Sequence, residues 1–141
     1  RILELSQVPD ETFADKILGD GFGFEPSEGK IYSPCAGKLT TVFPTKHAYG
    51  ILSDEGLEVL VHVGIDTVNL KDEGFTTSMK VGDSVNAGDL LVQFDMNIVK
   101  SKAKSLITPI VITNMDMVKS MRLLKTGEAS LGQDVLEIEF N

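Results

Sequence analysis

Short runs of alternating apolar and polar residues, separated by turns that contain glycine, extend along most of this chain. The turns SEGK, SDEG, KDEG, VGD and AGD recur at short intervals, and the runs between them are rich in β-branched residues. Strands that bury one face show this alternation, and glycine and aspartate favour the turns that join them. The pattern predicts an all-β fold, an antiparallel β-sandwich or barrel with short helical turns, in a single domain over residues 1–141.

The predicted strands follow the alternating runs, and their bounds are Phe22–Pro26, Lys38–Phe43, Tyr49–Leu52, Glu58–Val63, Asp89–Phe94, Ile110–Thr113 and Asp134–Phe140. Helix is predicted only in DMNIVKSKAKS, where Asp95 or Asn97 suits an N-cap, and as one turn in MDMVKSMRL. Residues 1–16 have no strong pattern. We therefore expect residues 1–12 to be an irregular segment that lies over the surface.

Composition excludes several classes of protein. Of 141 residues, 42% are hydrophobic and 24% charged, as in an ordinary globular domain, and the net charge of -8 disfavours nucleic acid and anionic membranes as partners. A partner with a basic docking face suits this charge better. No apolar run is long enough to cross a bilayer, so we expect no membrane insertion. The single cysteine, Cys35, cannot form an internal disulfide, which favours a reducing cytoplasm.

The segment GLEVLVHVGIDTVNL places a histidine, His62, inside a predicted strand. Leu57, Val59, Val61 and Val63 alternate onto one face, which must be the core face, whereas Glu58, Leu60 and His62 share the other. His62 is thus expected on the outer face. A neutral histidine that fills a core position is the alternative, and strand periodicity alone does not exclude it.

Further polar residues are expected near His62. Asp66 follows four positions later, and His47 lies just before another predicted strand, two positions after Thr45. If these neighbouring strands pair, both histidines reach one spot on the surface. Two histidines, a carboxylate and a hydroxyl would then form a polar cluster on an apolar surface.

The sequence lacks the motifs of several other kinds of site. The chain has neither a phosphate-binding G-x-x-x-x-G-K-[ST] loop nor a G-x-S-x-G elbow. HVGID resembles a zinc-binding segment of lysostaphin-like peptidases, but no histidine follows His62 to complete that site. We expect no bound metal and no cofactor, although His47 and His62, with Asp66, could hold an adventitious zinc ion. MKVGDSVNAGDLLVQFD has the spacing of biotinyl and lipoyl carrier domains but lacks their lysine at a hairpin tip.

Histidine phosphoryl transfer fits the cluster best. A neutral imidazole is a good nucleophile near neutral pH, and the reaction depends more on positioning and charge stabilisation than on acid–base groups. Such a site needs an acceptor for one ring nitrogen of the nucleophile, a second donor facing the phosphoryl oxygens, and a dry apolar rim. His62, a carbonyl such as that of Gly64, His47 and the outer apolar residues can supply these parts.

The chain resembles the glucose-type IIA component of the bacterial phosphoenolpyruvate-dependent sugar phosphotransferase system. The family signature is met at every position of GLEVLVHVGIDTV, from Gly56 to Val68, and the likeness extends to DKILGDGFGF, PCAGKLTTVFPTKHA, KVGDSV, AKSLITPIVITNMD and GEASLGQDVLEIEF. The resemblance therefore covers nearly the whole chain. It implies an antiparallel β-sandwich, in agreement with the strand pattern.

The resemblance also implies roles. His62 would accept phosphate on Nε2 from the phosphocarrier histidine protein HPr and pass it to a cysteine of a IIB domain. His47 would stabilise the phosphoryl group, Thr45 would orient His47, the Gly64 carbonyl would hold the Nδ1 proton of His62, and Asp66 would meet basic residues of the partners. Five residues fall where the family has its apolar docking ring: Ile17, Leu18, Phe43, Leu60 and Val68.

A second function class stays open beside phosphoryl relay. The chain could be a regulatory binding module whose phosphorylation state controls cytoplasmic metabolic or transport proteins through the same surface. Transfer to a IIB domain would identify the relay, whereas stoichiometric inhibition of a metabolic partner by the unphosphorylated form would identify the module. In either case we expect a cytoplasmic monomer.

Overall fold

In the computed structural model of the chain, residues 1–67, 70 and 73–141 are described. The strands, numbered in chain order, are β1 Ile2–Glu4, β2 Asp20–Phe24, β3 Lys30–Tyr32, β4 Gly37–Val42, β5 Ala48–Ser53, β6 Glu58–His62, β7 Phe75–Thr76, β8 Ser84–Val85, β9 Leu90–Phe94, β10 Thr108–Ile112, β11 Val118–Leu123 and β12 Leu136–Phe140. The helices are α1 Glu11–Ala14 and α2 Met96–Lys102, and short 3₁₀ turns cover Leu5–Gln7 and Met115–Met117.

All strand pairs given by the hydrogen bonding of the described residues are antiparallel. One sheet has the order β1-β2-β10-β6-β5-β4-β8, a second has the order β3-β9-β7, and β11 and β12 form a separate ribbon. The main hydrophobic core joins Tyr49 and Val61 of the first sheet to Ile31 and Val92 of the second. Two sheets therefore pack face to face over one core, which confirms the predicted antiparallel all-β class.

The predicted strands all form, with bounds shifted by one or two residues. β2 begins before the predicted Phe22 and ends at Phe24 rather than Pro26, and β10 begins at Thr108. The helix predicted in DMNIVKSKAKS is α2, and its N-cap is Asp95, whose carboxylate accepts from the backbone N–H of Asn97 at 2.9 Å and of Ile98 at 3.2 Å. In MDMVKSMRL only Met115–Met117 is helical, because Val118–Leu123 pairs with β12.

The expectation of an irregular segment over residues 1–12 is wrong. β1 pairs with β2, a 3₁₀ turn follows, and α1 begins at Glu11 after the N-cap Asp10. Apolar residues of this segment are buried against the sheet: Ile2, Leu3, Leu5 and Val8. The spacing of these residues fits neither a strand nor a helix throughout, because the segment changes from strand to turn to helix within a few residues. Its burial and pairing against the sheet, with the local cap at Asp10, order it.

A second, smaller core cluster lies under this segment. It consists of Leu5, Val8, Phe13, Ile65 and Val111, with Leu60 and Ile107 packed against it. The cluster joins the start of the chain to the loop that follows β6.

No helix in the described part of the chain has the length and apolar character needed to cross a membrane.

Candidate functional site

His62 is the last residue of β6, and its ring is half-buried. Its neighbours Val61 and Val63 are buried in the core, so the ring lies on the outer face, as the alternation indicated. Nδ1 of His62 lies 2.8 Å from the Gly64 carbonyl oxygen. Because a carbonyl can only accept, Nδ1 carries the proton, and the neutral ring has its lone pair on Nε2. Nε2 is therefore the nucleophilic nitrogen.

His47 lies in the turn before β5, and its residue surface is only 3% exposed. Its Nδ1 is hydrogen-bonded to the hydroxyl of Thr45. Between them Lys46 adopts a left-handed conformation with a φ of 61°. This conformation turns the chain into β5 and lets Thr45 reach back to the ring that follows it.

The pairing of β5 with β6 brings the two histidines together. Ala48 is aligned with His62, and the Val63 N–H donates to the His47 carbonyl at 2.6 Å. The imidazole rings meet edge to face, with 4.9 Å between their centroids and 77° between their planes. The structure thus places both predicted histidines and Thr45 in one cluster.

Aromatic rings flank the pair of histidines. The Phe13 ring lies 5.3 Å from that of His62, and the Phe43 ring lies 5.3 Å from that of His47. Phe13 is buried, whereas Phe43 is 39% exposed. Together they give the site an apolar rim, which excludes water from one side of each imidazole.

Phe13 and Asp10 are site residues that the sequence prediction missed. Asp10 caps α1 by accepting from the Thr12 N–H at 2.9 Å, and α1 carries Phe13 onto His62. Asp10 also exerts a charge effect on His62. The signal was present in VPDETFADK, in which an Asp followed three residues later by an apolar residue is a plausible helix start.

The predicted docking residues differ in exposure. Ile17 is 70% exposed and Leu18 41% exposed, just after α1. Leu60 is half-buried and packs against the cluster that contains Phe13. Phe43 borders His47, and Val68 lies outside the described residues. Of the described members, Phe43 contacts His47, Leu60 shares the outer face of β6 with His62, and Ile17 and Leu18 follow the helix that carries Phe13.

Asp66 lies at the exposed edge of the site. It has a left-handed φ of 58° in the turn after β6, and its carboxylate acts on His62 through charge. Among the described residues, no group of three or more His, Cys, Asp and Glu side chains is arranged to hold a metal ion. In this arrangement Asp66 does not complete a zinc site with His47 and His62.

Burial holds both imidazoles in their neutral form. It lowers the pKa of His47 to about 4, and the nearby His62 adds to this shift. Burial also lowers the pKa of His62, although the Gly64 carbonyl, Asp10 and Asp66 oppose the change. A neutral His62 with a free Nε2 is the nucleophilic species.

A family model matches most of the chain. It is the model described as the phosphoenolpyruvate-dependent sugar phosphotransferase system, EIIA 1, and it matches residues 1–118. The match includes both histidines and ends at the first residue of β11.

Relatives from several bacteria are similar over nearly the whole chain. The glucose-specific EIIA component of Halalkalibacterium halodurans is 48% identical over 135 residues, covering 92% of this chain and 78% of the relative. That of Staphylococcus aureus is 44% identical over 140 residues, covering 99% and 84%. The glucose-specific EIICBA component of Streptococcus pneumoniae is 45% identical over 139 residues, which are 99% of this chain and 19% of the longer protein.

A solved structure has the same fold. It is the glucose permease IIA from Mycoplasma capricolum, with a TM-score of 0.89 and 42% sequence identity. The superposition covers 96% of this chain and 87% of the other.

Proposed function

This chain belongs to the EIIA 1 family of the phosphoenolpyruvate-dependent sugar phosphotransferase system, and on that premise we propose that it carries phosphoryl groups during sugar uptake by a relay through His62. The names of its relatives favour a glucose-specific system. The relay places the chain in the cytoplasm, together with its donor.

In the first step, Nε2 of His62 attacks the phosphorus of the phosphohistidine on HPr. The new Nε2–P bond forms as the P–N bond to HPr breaks, and the donor nitrogen keeps the electron pair of that bond. In the second step, the thiolate of a IIB cysteine attacks the phosphorus, and Nε2 of His62 leaves as a neutral imidazole nitrogen. The Streptococcus relative, whose name joins IIA to IIB and IIC, supports a IIB domain as the acceptor.

His47 stabilises the transferring group. Thr45 fixes its ring through Nδ1, and the edge-to-face contact sets that ring beside the imidazole of His62. A hydroxyl that donates to Nδ1 leaves Nε2 of His47 as a donor for the phosphoryl oxygens. Asp10 and Asp66 give the rim a negative charge that suits a basic docking face on each partner.

The observation that carries this proposal is the hydrogen bond from Nδ1 of His62 to the Gly64 carbonyl at 2.8 Å. It selects the tautomer whose lone pair is on Nε2, in a ring that contacts the ring of His47.

The test is transfer from labelled phosphoenolpyruvate, through enzyme I and HPr, onto the wild type, His47→Gln and His62→Gln. We expect acid-labile label on the wild type and on His47→Gln but none on His62→Gln. Circular dichroism should show that all three proteins are folded. Absence of label on a folded wild type would rule the relay out, and label on His62→Gln would place the acceptor elsewhere.

A regulatory role through the same surface is the second candidate, and the exposed apolar pair Ile17 and Leu18 favours it. A phosphate on His62 would add about two negative charges at the edge of an apolar docking surface. A partner that needs this surface dry should then bind only the unphosphorylated form. Calorimetric titration of both forms tests this, since equal affinities would exclude such a switch.

A further inference from the structure

The peptide unit between Val63 and Gly64 is held at both ends by buried threonines. The Thr67 hydroxyl donates to the Val63 carbonyl at 2.7 Å, and the Gly64 N–H donates to the Thr108 hydroxyl at 3.2 Å. Both threonine residues are 0% exposed. Because both positions are buried, losing either hydroxyl would remove the partner that the described residues offer to that backbone group.

The next peptide unit, between Gly64 and Ile65, carries the acceptor for His62. Its carbonyl accepts from Nδ1 of His62 at 2.8 Å, while its N–H donates to the Ser105 carbonyl at 2.9 Å. All four polar groups around Gly64 are therefore bonded. Of the four partners, Ser105 lies in the segment that leads into β10, and Thr108 is the first residue of β10.

Position 64 must be glycine, so no side chain at this position restrains the backbone. Its φ is 70°, and a Cβ there would lie 2.8 Å from both the Ser105 carbonyl oxygen and Cγ2 of Thr67. Glycine is required by the conformation and by the space, but it leaves the backbone free to rotate unless something else fixes it. Thr108 fixes it from the N–H side, and its own hydroxyl is oriented by donation to the Leu106 carbonyl at 3.1 Å.

We propose that Thr108 is a positioning residue for the phosphoryl-transfer reaction, acting through Gly64 to keep His62 in the tautomer with the proton on Nδ1. The expected effect on the rate rests on the proposed function, whereas the expected effect on the His62 tautomer does not. Without the hydroxyl, the buried Gly64 N–H loses the acceptor that it has among the described residues. The turn must then shift to find one, and the Gly64 carbonyl moves away from the imidazole.

The conservative pair of variants is Thr108→Val, which keeps the branched shape and removes the hydroxyl, and Thr108→Ser, which keeps the hydroxyl. Ser53→Ala is the matched control, since Ser53 is also buried and its hydroxyl accepts from the Leu57 N–H at 2.9 Å. Ser53 lies at the other end of β5 from Ala48, about 16 Å along the strand at its usual rise.

The first readout is the ¹⁵N spectrum of the histidine rings in unphosphorylated, ¹⁵N-histidine-labelled protein at neutral pH. The chain has only two histidines, so the rings can be assigned with His47→Gln. We expect a protonated Nδ1 and an unprotonated Nε2 for His62 in the wild type, Thr108→Ser and Ser53→Ala. In Thr108→Val we expect the ¹⁵N chemical shifts of Nδ1 and Nε2 of His62 to approach each other, because the two tautomers then interconvert.

The second readout is the rate of phosphorylation by HPr. We expect Thr108→Val to be about tenfold slower, within the hundredfold that misplacing a reacting group can cost, while Thr108→Ser and Ser53→Ala stay near the wild type. A wild-type ring spectrum in folded Thr108→Val would overturn the proposal. So would an equal loss of rate in Thr108→Val and Ser53→Ala, because that would reflect general destabilisation.

These readouts separate two failures. The ring spectrum needs no phosphoryl donor, so a shift toward mixed tautomers in Thr108→Val supports the positioning role even if His62 is not the acceptor. If the wild type takes up label on His62 but its ring has the proton on Nε2, the relay stands and the role of Thr108 fails.

Discussion

The imidazole ring of His47 meets that of His62 edge to face at 4.9 Å, although His47 precedes β5 and His62 ends β6. The contact depends on the antiparallel register in which Ala48 faces His62. A phosphoryl group on Nε2 of His62 would therefore form beside a second, buried imidazole.

Thr45→Val should separate acceptance of phosphate from its onward transfer. The change removes the hydroxyl that bonds Nδ1 of His47, so the ring loses its fixed orientation toward the phosphoryl oxygens. We expect His62 still to be labelled, while transfer to a glucose-specific IIB domain slows by at least about tenfold, since a single preorganised donor can contribute a hundredfold or more. Thr45→Ser should restore the rate. Equal rates for the wild type and Thr45→Val in single-turnover assays would contradict the role of Thr45.

Stability should fall as the pH is lowered from 7 toward 5. The pKa of His47 is about 4 in the folded chain and 6.5 as a free side chain, so in this range the unfolded state binds more protons than the folded state. The stabilisation is fully present above pH 6.5 and is lost as the pH falls toward 4. Urea unfolding should give a free energy of unfolding about 1–2 kcal/mol lower at pH 5 than at pH 7 from His47 alone.

His47→Gln is the control for this pH dependence. The variant should lose the part of the slope that belongs to His47 and retain the part due to His62, whose pKa burial also lowers. An unchanged slope between pH 7 and 5 would mean that His47 is not kept neutral by the fold.

Phe13→Ala should have two effects, since it should destabilise the fold and expose the His62 ring to water. Phe13 is 5% exposed and belongs to the small core cluster with Leu5, Val8, Ile65 and Val111. Removing a buried phenyl ring typically costs about 3–5 kcal/mol. We expect a lower urea midpoint and faster hydrolysis of the phosphohistidine, because water gains access to one face of the ring. Phe13→Leu should recover most of the stability, and a wild-type midpoint in Phe13→Ala would show that α1 does not pack as described.

Ile17→Ser should weaken partner binding with little effect on stability. Ile17 is 70% exposed, so its replacement should change the free energy of unfolding by no more than about 0.5 kcal/mol. Loss of an apolar contact at the centre of an interface costs about 1 kcal/mol or more in binding. Leu131→Ser is the matched control, since Leu131 is 67% exposed and lies in the turn between β11 and β12. Calorimetry with HPr should separate the two variants, and identical affinities would remove Ile17 from the docking surface.

The sequence by itself determined the β class and the orientation of His62. The alternation from Leu57 to Val63 fixes which side chains face the core, because a strand repeats every two residues whatever it pairs with. The same reasoning located α2, since the cap at Asp95 and the helix it begins are local. Such features depend on residues that are close together in the sequence, so the sequence alone is enough to predict them.

Tertiary structure alone decided which residues surround His62. The ring of His47 reaches it through the strand register, and Phe13 reaches it through a segment that has no regular period and packs against the sheet. Thr108 bonds to Gly64 across 44 positions of the chain, and no local sequence pattern predicts this hydrogen bond. Long-range contacts of this kind follow from the packing of whole elements, so the support of the site became visible only when the sheet was assembled.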